Sequence, residues 1–194
     1  PVLRLPTWGR AVAGIGLLAI YQVLLDNFWQ AGVLASPHGG FAGSISWAAM
    51  LILATVLADL FHDPPRGRMV FPWASLLVLV LGVALAWWVP VSKNRVSSTY
   101  VLISLGASAL LFWLFHWLCD VRGLKLELLS IWGENPLLLY VLHYVLLGFL
   151  VLPPIPFWHI EAPLWLVVIQ AVALLAVLSW IGFTFRRKKW VFSL

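Results

Sequence analysis

The chain has 194 residues, of which 63% are hydrophobic and 10% charged, and a net charge of +5. So apolar a composition excludes a soluble domain of this size. The basic residues sit in short loops and at the ends of apolar runs, so the positive charge is not a nucleic-acid signature. The single cysteine, Cys119, excludes an internal disulfide framework and a thiolate-rich metal site.

Apolar runs long enough to cross a bilayer fall at about 10–27, 43–62, 72–89, 97–119, 135–152 and 162–185, each near the ~20 residues a spanning helix needs. Hydrocarbon offers backbone groups no water to bond, so these runs predict helices. The expected fold is an all-α, polytopic transmembrane bundle of about six spans, forming a single transmembrane domain over 1–194. Breakers separate the runs: Ser36-Pro37-His38-Gly39-Gly40, Asp63-Pro64-Pro65-Arg66-Gly67 and Leu152-Pro153-Pro154-Ile155-Pro156. No soluble domain fits between them. The chain starts at Pro1 with no signal-peptide layout, which predicts a fragment of a longer protein.

Six spans put both termini on one side. That side carries Arg4, Arg10, Arg66, Arg68, Arg122, Lys125, Arg186, Arg187, Lys188 and Lys189, whereas the other holds only Lys93 and Arg95. The asymmetry predicts that both termini are cytoplasmic. Trp8, Trp29, Trp73, Trp88, Trp132, Trp158 and Trp190 lie near span ends, as an aromatic belt requires.

Asp26 and His38, at the outer end of the first span and in the loop beyond it, read as solvated end residues. So do Asp59 and His62 at the cytoplasmic end of the second. Ser44 and Ser46 open the second span and read as helix-packing hydroxyls. Lys93 and Arg95 stand on the outer side against the charge rule. They are either snorkelling cations or, with Asn94, donors that recognise an acceptor's polar groups. His116 lies about one turn from the inner end of the fourth span and reads as structural.

The stretch Gly133-Glu134-Asn135-Pro136-Leu137-Leu138-Leu139-Tyr140-Val141-Leu142-His143 carries the sharpest signal. Asn135 can cap a helix with its side-chain oxygen, and Pro136 suits the first helical position. His143 follows ~12 Å further along the axis at ~1.5 Å per residue. That is near the middle of a core ~30 Å thick. Ionisable groups at such depth usually face a bundle interior or a wet cavity. Tyr140 shares its face. Asn135 lies ~80° around the helix, so both could border one polar cavity, with His143 turned toward the second, third or fourth span. A packing role for the imidazole remains the other reading. There is no Gly-rich phosphate loop, no His-x-x-x-His pair and no Gly-x-Ser-x-Gly elbow, so neither a metal site nor a permanently bound cofactor is expected.

Taken in order, these motifs resemble the heparan-α-glucosaminide N-acetyltransferase family and its bacterial membrane homologues. The resemblance runs through Gly40-Phe41-Ala42-Gly43-Ser44-Ile45-Ser46, then Pro90-Val91-Ser92-Lys93-Asn94, then Ser97 and Tyr100. It continues through Asp120-Val121-Arg122-Gly123-Leu124 and Gly133, Asn135, Tyr140 and His143, and closes at Arg187-Lys188-Lys189. The chain departs from the family's pattern at Ser46, Val96 and Tyr144.

The resemblance implies an integral protein of the bacterial inner membrane that takes an acetyl group from cytoplasmic acetyl-CoA. It passes that group to an amino sugar or related glycan acceptor across the membrane. This chain matches the C-terminal half of the family, whose essential histidine lies in the N-terminal half. The implied partners are therefore acetyl-CoA, the acceptor, membrane lipid and the missing N-terminal half, with no nucleic acid. The expected roles place Asn135 at a helix start that could hold the anionic CoA moiety. Lys93 and Asn94 would meet the acceptor, with His143 supporting catalysis beside Tyr140. The alternative is a non-catalytic membrane subunit or scaffold, in which the same residues fix helix packing. A transporter is disfavoured by the absence of paired intramembrane carboxylates.

Overall fold

Apolar runs of bilayer length become helices in the computed structural model, which describes residues 4–63, 66–153 and 155–190. Among these residues there is no strand. Five helices are long and apolar enough to span: α1 (Thr7–Leu34), α2 (Gly40–His62), α3 (Arg66–Leu85), α4 (Ser98–Val121) and, after three shorter ones, Leu164–Arg187. The shorter helices are α5 (Glu127–Glu134), α6 (Pro136–Val151) and α7 (Pro156–His159), so Leu164–Arg187 is α8. The expected fifth span corresponds to α6, which continues from α5 through a bend of 89°. Counting that bent pair as one broken span gives the expected six. The protein is a polytopic all-α membrane protein.

Two spans depart most from their expected limits. α1 continues to Leu34 because a π-helical turn at Leu25–Trp29 carries it past Asp26 and Asn27. α3 begins ahead of Pro72, which it holds in its interior. The breakers Pro64, Pro65 and Pro154 lie outside the described residues. Trp8 and Trp88 are largely exposed near span ends, whereas Trp73, equally exposed, lies about two turns inside α3 rather than at its end.

The chain divides into two compact units, Pro1–Gly123 and Leu124–Leu194. In the first, α1 packs along α2 and α3 along α4, and α2 touches both members of the second pair. Leu18, Ala49, Leu53, Phe71, Val101 and Leu105 form its core. Lipid supplies no hydrophobic drive between spans, so close backbone approach at small residues holds α3 against α4. A Cβ on Gly106 would lie 2.5 Å from the Leu79 backbone nitrogen, and one on Gly82 2.8 Å from that of Ile103.

The first unit has two chemically distinct ends. At the end carrying Arg10, Arg68 and Asp120, the buried Arg10 pairs with Asp59, which also accepts from the Thr7 hydroxyl at 2.5 Å. Asp59 is thus a partner in a cross-helix ion pair rather than the freely solvated residue expected. Lys93 and Arg95 stand in the loop between α3 and α4, with Asp26, His38 and Ser46 at the same end through the contacts given below.

In the second unit, α5 is held to α8. Ile131 fills the space left by Gly182, where a Cβ would meet it at 2.7 Å. Trp132 Nε1 donates to Ser179 Oγ at 3.1 Å, and Arg186 pairs with Glu134 at 3.2 Å. With α5 fixed this way, the turn into α6 falls on Asn135, whose backbone is non-helical at φ −136° and ψ 55°.

Candidate functional site

The most heavily buried polar cluster lies where the loop before α2 meets the loop before α4. His38, Gly39 and Gly40 all have positive φ, and so does Val96 at 47°. Glycine takes this conformation freely, but a β-branched residue does not, and such strain is retained only where surroundings enforce it. Here the enforcement is visible. Ser46 Oγ donates to the Val96 carbonyl at 2.8 Å, and Tyr21 Oη donates to the Arg95 carbonyl at 2.6 Å. Gly39 faces the Val96 side chain so closely that a Cβ would lie 3.0 Å from Val96 Cγ2.

Ser97 completes the cluster. Its hydroxyl accepts from the Tyr100 backbone at the start of α4 and from the Ser92 backbone at 3.0 Å, and it shares a hydrogen bond with Thr99 at 2.8 Å. Gln22 reaches across from α1, accepting from the Ser98 backbone at 2.9 Å while its amide donates to Asp26. Ser98 Oγ is buried without a hydrogen-bond partner among the described residues. Lys93 and Asn94 stand exposed at the tip of this loop, in a turn closed by Val96 N donating to the Lys93 carbonyl at 3.1 Å. Two expected solvated residues, Asp26 and His38, are indeed exposed.

Ser46→Ala is expected to leave the buried Val96 carbonyl without its donor and to lower stability by about 1–3 kcal/mol. Thermal unfolding in detergent measures this. An unchanged midpoint would show that the hydroxyl contributes nothing to the strained turn.

The second unit holds Asn135, Tyr140 and His143. Asn135 is 1% exposed, and its side chain does not cap α6 as expected. Its Nδ2 instead donates to the Trp190 carbonyl at 3.2 Å, and the cap position is served by the Asn135 carbonyl accepting from Leu139 N at 3.1 Å. Pro136 takes the first helical position as expected. His143 is half-buried, and its Nδ1 lies 2.7 Å from the Tyr140 carbonyl. A carbonyl only accepts, so the neutral ring carries its proton on Nδ1 and leaves Nε2 as an acceptor. Tyr140 and Tyr144 join it, with ring centroids 5.5 and 4.3 Å from the imidazole and their hydroxyls 3.3 Å apart.

Tyr140 and His143 border a cavity of about 310 Å³ together with Pro136, Leu139, Leu174 and Leu178. Within its own unit, the wall opposite His143 belongs to α8. This cavity corrects the expected setting in one respect. The cavity is mainly apolar rather than polar and is not lined by Asn135, because the non-helical backbone at Asn135 turns its amide to the Trp190 end instead.

Three participants, Tyr21, Gln22 and Tyr144, were not singled out as site residues by the sequence. Tyr21 and Gln22 carry the first cluster, and their polarity inside an apolar span was the available signal. Tyr144 was marked by its spacing, one residue beyond His143 and four beyond Tyr140. His116 places Nδ1 2.6 Å from Asp120 Oδ2 and packs edge-on against Phe61 at 4.9 Å. The i,i+4 His–Asp spacing was the clue there. Among the described residues no group of three or more His, Cys, Asp or Glu side chains is placed to hold a metal ion.

Compared with known proteins, the chain matches no protein-family model, no curated protein and no solved structure.

Proposed function

We propose that the chain is part of a bacterial inner-membrane acyltransferase, resembling the C-terminal half of the heparan-α-glucosaminide N-acetyltransferases. In this reading the parent protein moves an acetyl group from cytoplasmic acetyl-CoA to an amino sugar or related acceptor across the membrane. The observation that supports it is the meeting of two sequence segments on which the resemblance rests. Gly40–Ser46 and Pro90–Asn94, with Ser97 and Tyr100, are far apart in sequence, yet they meet where the Trp47 ring stands edge-on to Tyr100 at 6.1 Å and where Ser46 bonds Val96, two positions at which the chain departs from the family's pattern. Lys93 and Asn94 are the donors available there to an acceptor's hydroxyl or amide groups. The start of α6 at Asn135 would lie toward CoA. His143 would support catalysis by holding the essential histidine of the N-terminal half in place as that residue takes the attacking amine's proton. The thioester C–S bond then breaks and CoA leaves as its thiolate.

Proteoliposomes loaded with glucosamine and supplied outside with labelled acetyl-CoA test the reading. The parent protein should acetylate the trapped sugar, and Lys93→Ala with Asn94→Ala should raise KM for the sugar more than it lowers kcat. The 194-residue chain alone should be inactive, since the resemblance excludes the family's essential histidine. Robust transfer by this chain alone overturns the half-enzyme reading. A non-catalytic subunit is the second reading, favoured by the apolar walls around His143 and the bonding of its ring to its own helix.

The ten-to-two distribution of basic residues supports placing both termini in the cytoplasm. In a Cys119→Ala background, Lys188→Cys should be labelled only from the cytoplasmic side. Labelling only from outside reverses the orientation.

A further inference from the structure

Small side chains open a groove in the first unit that none of the roles above uses. Ala54 and Ala58 on α2 and Ala109 on α4 leave a cavity of about 290 Å³ between Leu57 and Leu105. Phe61 and Phe112 wall one end of it and also wall a second cavity of about 550 Å³. Arg68, His116, Cys119 and Asp120 line the second cavity. The pair falls within the ~300–1,000 Å³ typical of small-molecule sites. From Phe61 back to Ala54 is about two helical turns, ~11 Å at ~5.4 Å per turn. The polar mouth thus lies at the ends of the spans, and the apolar part runs inward between them.

Charge decides what fits. The Asp120 carboxylate lines the same mouth, bonded to His116 Nδ1 through one oxygen and otherwise largely exposed, so an anion bound here must sit on the Arg68 side of it. Arg68 is exposed, its guanidinium 5.8 Å from the centroid of the Phe61 ring, and no carboxylate pairs with it among the described residues. A guanidinium matches a phosphate with two parallel donors. Below it, Phe61, Phe71 and Phe112 form a collar of edge-to-face rings, with Phe61 at 5.3 Å from Phe71 and 4.9 Å from Phe112. A cation beside an open apolar groove is complementary to an anion carrying an alkyl tail.

We propose that this groove binds an anionic phosphate-bearing lipid of the surrounding leaflet. The phosphate sits at Arg68, and one acyl chain passes Phe61 into the space beside Ala54, Ala58 and Ala109. The inference does not depend on acyl transfer.

Cys119 is the only cysteine of the chain, is half-buried and lines the mouth, so its modification by a neutral maleimide reports occupancy. The full chain is compared in phosphatidylcholine nanodiscs with and without phosphatidic acid. Phosphatidic acid should slow modification about tenfold, the size of one charge-assisted contact. Arg68→Gln should remove that protection, and Ala58→Phe, which fills the tail cavity, should remove it with Arg68 intact. Ala109→Leu tests the same space from α4 should Ala58→Phe fail to fold. A cysteine introduced as Asn94→Cys in the Cys119→Ala background should show no slowing. Equal rates in the two discs overturn the proposal, as does protection that survives Arg68→Gln. Equal protection by inorganic phosphate or by acetyl-CoA in phosphatidylcholine discs overturns it as well, because neither carries the long tail.

Discussion

Gly106→Val should destabilise the protein by about 3 kcal/mol, the upper end of the usual overpacking penalty. A Cβ there would meet the Leu79 backbone nitrogen at 2.5 Å and its Cα at 2.8 Å, and backbone atoms cannot swing aside as the end of a side chain can. α3 and α4 would have to separate, exposing the seam that also contains Gly82. The control is Gly16→Ala, where nothing lies within 4 Å of the added carbon. That change should stabilise the helix slightly, by about 0.5–1 kcal/mol. Unfolding in detergent reads both. An unchanged midpoint for Gly106→Val would mean that α3 and α4 do not pack through their backbones.

His143→Ala in the parent acyltransferase should lower turnover by about 10²-fold, the scale of a misplaced catalytic group, while folded yield changes little. The ring makes its hydrogen bond to its own helix and borders existing space, so truncation leaves no distant partner unpaired. Tyr140→Phe separates the neighbours, because it deletes only a hydroxyl whose bond runs to Tyr144. Normal turnover in His143→Ala would assign the imidazole to packing and favour the subunit reading.

The spans were legible because bilayer length and hydropathy impose themselves on any sequence that crosses a membrane. The break before α6 was legible too, since Asn135-Pro136 marks a helix start. The direction of that break was not, because it depends on how Ile131 and Trp132 meet Gly182 and Ser179, about fifty residues away. Cap preference likewise describes what Asn135 does on average, and a nearby carbonyl at Trp190 outcompeted it. The turn at Val96 ran against local preference, since a β-branched residue disfavours positive φ. Only its contacts with Ser46, Tyr21 and Gly39 make sense of it, and these come from three separate stretches of chain. The ion pair of Arg10 with Asp59 could have been found by matching opposite charges at one depth on two antiparallel spans.

The two ends of the first unit are fastened differently, and this gives it the mechanics of a clothes-peg. At the Lys93 end, directional hydrogen bonds from Tyr21, Gln22 and Ser46 tie the α1–α2 pair to the loop that joins α3 and α4. At the Arg68 end, α2 meets α3 and α4 largely through aromatic edges, which can slide without breaking a bond. Rocking of one helix pair against the other should therefore pivot at the tied end and spread the jaws at Phe61. Amide exchange should follow the same gradient, slowest around Val96 and Val101 and faster toward His62 and Trp117.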